Sequence, residues 1–290
     1  MKTKHLLLAA FIAGLELTAC SKADPVAQID AELTTPDYED TVTIHFAMPS
    51  YTIEPFTRST SITQSVSRLD VYITDGTTTS DIHQAQTDAD FGSISVTLNR
   101  TKTYTLVAVA HKCNGNATIA DGVITFPEEK VTQSMVYTTT FSPATTTAIN
   151  AEMQRIVGLF RFEVADQVAD DIHTFEFDFG SAYTRWNYTT SAAAHAADRV
   201  ASFSGFTRNN DGTVTFNLYV IPTNLTDTDQ MDITVTAKKE NGDVVETKAF
   251  SDVPIRAGYK TTYHGEFFTT TSVTAAFTVA DWNAFDTVNF

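Results

Sequence analysis

Two cysteines, seven histidines and 35 carboxylate side chains are the residues of this sequence with the most obvious chemistry. Cys20 stands alone at the end of "LTAC", Leu17 to Cys20, where its thiol is open to acylation. "HKC", His111 to Cys113, offers two metal ligands, but no second pair at zinc spacing accompanies them. A strand-end histidine beside a buried cysteine is the expected reading. "TDTDQMD" gathers Asp227, Asp229 and Asp232, yet it lacks the glycine and terminal glutamate of a calcium loop. It predicts a solvated acidic turn. "YTRWNY" sets Trp186 and Tyr188 on one face of a strand, a pair that could stack on a sugar but is expected to pack in a core or interface. No G-x-S-x-G, H-E-x-x-H or P-loop occurs. The reading is therefore non-enzymatic, with no metal and no cofactor expected.

Cys20 gains meaning from what precedes it. Lys2 and Lys4 give a positive start, and "LLLAAFIAGL", Leu6 to Leu15, is an apolar run. The run is shorter than the about 20 residues of a membrane-spanning helix and fits an export signal. The end resembles a bacterial lipobox: apolar Leu17, small Thr18 and Ala19, then the cysteine. That resemblance implies a signal peptide over residues 1–19, cleaved before Cys20 once its thiol carries lipid. Each buried methylene contributes about 0.8 kcal/mol, and firm anchoring takes more than one chain. Polar residues 20–40 then form a tether to the folded part. Cys20→Ala is expected to abolish acylation and release the protein from membranes with the fold intact. Retention of the variant in the membrane fraction at wild-type level would contradict this.

The balance of 35 Asp+Glu against 19 Lys+Arg, net −16, disfavours phosphate backbones, so no nucleic acid partner is expected. With Cys20 lipidated, Cys113 has no disulfide partner. Threonine makes up about one residue in six, and there are 20 phenylalanines, both suited to half-buried strands. Period-two alternation recurs throughout. Val42, Ile44, Phe46 and Met48 share a face, as do Leu69, Val71 and Ile73, then Ile94, Val96 and Leu98, and later Ile156, Phe160, Phe162 and Val164. "NNDGT" and "KENGD" punctuate strands as turns. "TSAAAHAADRVAS" is the main helix candidate, with a turn or loop as the alternative. The chain is thus expected to be all-β, built from sandwiches. The threonine-rich stretch at 138–152 marks a junction between an N-terminal sandwich, 41–147, and a C-terminal one, 148–290.

With these elements in view, the chain resembles the fimbrillin family of Bacteroidota, the subunits, tips and anchors of the type V pilus. "TVTIHFAM" followed by "PFTRSTSITQSVSRLDVYITDG", then "MQRIVGLFRFEV", "DVPIRAGYKTTYHGEFF" and "FTVADWNAFDTVNF" carry the likeness. The resemblance implies two tandem transthyretin-like β-sandwich domains on a lipoprotein of the outer membrane and cell surface. It implies arginine-specific cleavage of the first strand, for which the bond between Arg58 and Ser59 is the candidate, and other fimbrial subunits as partners through strand exchange. Val288 and Phe290 resume the alternation after "DWNAFD" and are the donor-strand candidates. The roles of stalk, tip and anchor stay open. The alternative is a glycan-binding surface lipoprotein of a polysaccharide-uptake system, using exposed aromatics such as Trp186.

Overall fold

The computed structural model describes residues 39–47 and 65–268, and the backbone of residues 277–281. Apart from one 3-10 turn at Pro127–Glu129, every assigned element is a strand. In the first half these are β1 (Glu39–Ala47), β2 (Arg68–Thr74), β3 (Thr79–Ala85), β4 (Ser93–Asn99), β5 (Tyr104–His111), β6 (Thr118–Ala120), β7 (Val123–Thr125) and β8 (Ser134–Phe141). There follow β9 (Ala148–Glu152), β10 (Gln154–Arg155), β11 (Gly158–Val164), β12 (Ile172–Asn187), β13 (Ala192–Ser204), β14 (Val214–Val220), β15 (Asp229–Lys239), β16 (Val244–Ile255), β17 (Tyr259–Gly265) and β18 (Phe277–Asp281).

Alternation becomes layers. A three-stranded sheet, β4-β1-β9, faces a five-stranded sheet, β10-β8-β5-β2-β3. Val42 and Ile44 of the first meet Leu69, Val71, Leu106 and Ala108 of the second in one core. A second pair of sheets follows: β14-β11-β17-β18 against β16-β15-β12-β7-β6, with β13 on the other side of β12. Phenylalanine dominates their core. Phe162 stacks on Tyr263 at 4.7 Å and meets Phe177 and Phe250 edge to face at 5.4 and 5.6 Å. Such ring pairs contribute about 0.5–1.5 kcal/mol beyond the area they bury.

Residues 148–155 pair with first-half strands: β9 lies parallel to β1, and β10 antiparallel to β8. The second set of sheets then begins with β11 at Gly158. The β6–β7 hairpin crosses the other way. Its Thr125, Ile124 and Val123 pair with Arg185, Trp186 and Asn187 of β12. A third apolar cluster fills the seam, including Val107, Ile124, Phe126, Val157, Leu159, Trp186 and Ile221. Glu129 crosses the seam to accept from Arg185 Nε at 3.2 Å and from Thr184 Oγ1 at 3.2 Å, with His195 Nε2 at 3.4 Å. The Arg185 guanidinium holds the Glu129 carboxyl below its ordinary range.

The alanine-rich helix candidate is a strand. β13 pairs with β12 from Asn187↔Ala192 to Thr174↔Ser204. Ala201 and Phe203 pack against the second core, while Val200 is 58 % exposed. Alanine has the highest helix propensity, but propensity is a weak prior, and pairing with β12 overrides it. The offset between Asp178 and Ser181 is absorbed at Gly180, whose φ of +57° suits glycine and whose N–H donates to Asp178 Oδ1 at 2.8 Å.

Candidate functional site

The first strand, β1, is the middle strand of its sheet. It runs antiparallel to β4 from Glu39↔Asn99 to His45↔Ser93, and parallel to β9 from Thr43↔Ala148 to Ala47↔Glu152. Backbone bonds extend beyond the named strands. Phe46 N–H donates to Gly92 O at 2.9 Å, and Met153 N–H donates to Ala47 O at 2.9 Å. Val42, Ile44 and Phe46 are buried in the core, as their period-two spacing predicts. Thr41, Thr43 and His45 alternate outward, and Thr41 and Thr43 face Thr97 and Ser95 across the ladder.

Among the described residues neither β4 nor β9 has another strand partner in this sheet. Without β1 the two would stand about 9–10 Å apart, twice the ordinary strand spacing. They would face each other with unpaired N–H and C=O groups above an uncovered core. Each apolar side chain buried there contributes about 1.5–3 kcal/mol. The geometry is a slot for one extended segment, apolar at alternate positions and hydrogen-bonded on both edges. Every covalent connection from β1 to the other described strands runs through residues 48–64, and Arg58 lies among these. Nothing local in the sequence marks β1 as central, because its alternation reports burial but not its neighbours.

The residues singled out from sequence fall differently. Cys20, Arg58, Ser59, Val288 and Phe290 lie outside the described residues. Trp186 is 1 % exposed in the seam cluster, so it is no open platform for a sugar. His111 and Cys113 are buried and join a hydrogen-bond network. Cys113 N–H donates to His111 Nδ1 at 3.1 Å, which leaves the proton of the neutral ring on Nε2, 2.8 Å from Asp70 Oδ2. Asp70 also accepts from Ala117 N–H at 2.7 Å and faces His83 Nδ1 at 2.7 Å. Burial pushes the imidazole of His111 down, but the hydrogen bond to Asp70, with Cys113 beside it, leaves it raised above its ordinary value. The Cys113 thiol donates to Lys130 O at 3.1 Å. These groups spend their lone pairs and protons on one another, tying β2, β3 and β5 to the loop before β6.

Of the acidic run, Asp227 lies in the turn before β15, while Asp229 and Asp232 lie on β15 itself. Asp227 accepts from Asn224 Nδ2 at 2.7 Å, Asp229 from Thr223 N–H at 2.7 Å, and Asp232 from Asp252 N–H at 3.2 Å.

No protein-family model and no curated protein matches the chain. Solved structures do. A candidate cell-adhesion protein from Bacteroides ovatus aligns over 84 % of this chain and 98 % of its own, at 14 % identity and a TM-score of 0.49. A fimbrial assembly protein from Parabacteroides distasonis aligns over 84 % and 97 %, at 13 % identity and a TM-score of 0.43.

Proposed function

We propose that this protein is a non-enzymatic structural component of surface fimbriae, lipid-tethered through Cys20 and joined to its neighbours by strand exchange. The observation that supports this best is the place of β1. Among the described residues this sheet is joined only through its middle strand, which reaches the other described strands through a single segment, and such an arrangement suits the trading of one strand for another. Cleavage after Arg58 turns β1 from a covalent part of the fold into a bound peptide. Its departure exposes two sheet edges and an apolar groove, which an incoming strand fills with backbone ladders and alternate side-chain pockets. Each half is then a transthyretin-like domain, as the family resemblance implies.

The occupant must copy β1. "VTIHF", Val42 to Phe46, places apolar residues at its first, third and fifth positions. "VTAAF", Val273 to Phe277, keeps the same Val-Thr-x-x-Phe spacing, but Phe277 begins β18, which pairs with β17 in its own chain. Val288 and Phe290 lie beyond that pairing and supply the donor. Deleting Asp286–Phe290 is therefore expected to leave the monomer's melting temperature unchanged and to remove assembly. A clear fall in melting temperature with assembly intact would assign the segment to the chain's own fold.

The deciding experiment is on Arg58. Wild-type protein treated with an arginine-specific protease is expected to yield a form beginning at Ser59 and to polymerise. Arg58→Ala stays full length and monomeric. Unchanged fibres from Arg58→Ala would remove this bond from the mechanism.

A further inference from the structure

The seam between the two sandwiches carries an open cleft of about 300 Å3. Tyr137, Glu152 and Gln154 border it from β8, β9 and β10. Trp186, Tyr188 and Ser191 border it from the end of β12 and the turn that follows. The volume is at the small end of the about 300–1,000 Å3 range of ligand clefts, and such clefts favour interfaces between packed units.

The lining selects a ligand class. Among the described residues no lysine, arginine or histidine borders the cleft, and the chain carries a net charge of −16. Phosphate, sulfate and carboxylate ligands are therefore disfavoured. Aromatic rings beside a carboxylate, a primary amide and hydroxyls suit a molecule with apolar C–H faces and a rim of hydroxyl groups. Tyr188 is half-buried against the seam cluster, so part of it stays accessible, whereas Tyr137 packs against the first core. We propose that this cleft binds a neutral saccharide, with Tyr188 packing on the ring and Gln154 holding its hydroxyls.

The walls are set before any ligand arrives. Asn187 Oδ1 accepts from Thr189 N–H at 2.9 Å and Thr190 N–H at 3.0 Å, which fixes the turn. Ser191 follows at φ +51°, a left-handed conformation that a non-glycine residue adopts at a cost and that recurs at binding sites. Tyr188 N–H donates to Gly122 O at 2.9 Å, and Ala193 N–H donates to Thr223 O at 2.9 Å. A wall pinned in this way loses little freedom on binding.

This inference is independent of strand exchange, so its test uses the uncut protein. An array of neutral hexose and N-acetylhexosamine oligosaccharides, with sialylated and sulfated glycans beside them, is expected to retain the protein on neutral members only. Calorimetry with the best of these should show Tyr188→Ala and Gln154→Ala each weakening binding at least tenfold. Gln154 is exposed, so its replacement probes the cleft without touching a core. Arg58→Ala should bind the sugar unchanged. An array silent for neutral glycans, retention by acidic glycans alone, or full affinity in the Gln154→Ala variant overturns the proposal.

Discussion

Ile44→Asp protein is expected to lose the first sandwich. Ile44 is fully buried at the centre of β1, opposite Ile94 on one side and Ile149 on the other. A carboxylate there must either stay charged in an apolar core or bind a proton to become neutral, and both are costly. A loss above about 4 kcal/mol is expected, at the far end of single-substitution effects. The milder Ile44→Ala should cost about 2–5 kcal/mol through lost burial and the cavity left behind. His45→Ala, next in sequence but facing outward, should stay within about 0.5 kcal/mol. Denaturant unfolding of the three proteins measures this directly. The strand-exchange reading adds a second readout. After cleavage at Arg58, Ile44→Ala protein should release its first strand at lower denaturant than wild type. Equal release would mean that β1 is not held by its pockets.

Trp186→Ala is expected to cost about 3–5 kcal/mol, although its position in "YTRWNY" left open an exposed role. Its indole sits in the seam with Ile124, Phe126, Val157 and Ile221, contributed by both halves of the chain. The loss falls on the contact between the sandwiches more than on either core. Scanning calorimetry should therefore show one transition in wild type resolving into two, or one half melting well before the other. A single cooperative transition at the wild-type temperature would place Trp186 outside the coupling of the halves. Gln154→Ala on the rim of the same seam should leave melting unchanged, which separates the cleft from the core beneath it.

Much of the strand content was legible from spacing alone. Val42, Ile44 and Phe46, Leu69, Val71 and Ile73, and Phe160, Phe162 and Val164 alternate in the sequence and lie buried in the structure. A strand turns successive side chains to opposite faces, so a one-sided core writes itself as a period of two. Turn punctuation also held at "KENGD", where the β15–β16 hairpin closes on Lys239 N–H to Asp243 O at 2.9 Å. The lipobox-like spacing at Cys20 lies outside the described residues and stays an expectation from the sequence.

Other features depended on partners far away along the chain. Residues 192–204 are rich in alanine, which has no strong strand preference, and only the sixteen-residue β12 beside them makes them a strand. Trp186 is buried because a hairpin from residues 118–125 adds to its sheet. His111 meets Asp70 across 41 residues of sequence, which turns an apparent metal pair into an internal network. β1 is central because β4 and β9 arrive on its two sides from far along the chain, Ile94 and Ile149 pairing with Ile44. Alternation is a local consequence of backbone pleat and is visible in any short window. Which edge meets which is set by the free energy of the whole fold, and no window of the sequence contains both partners.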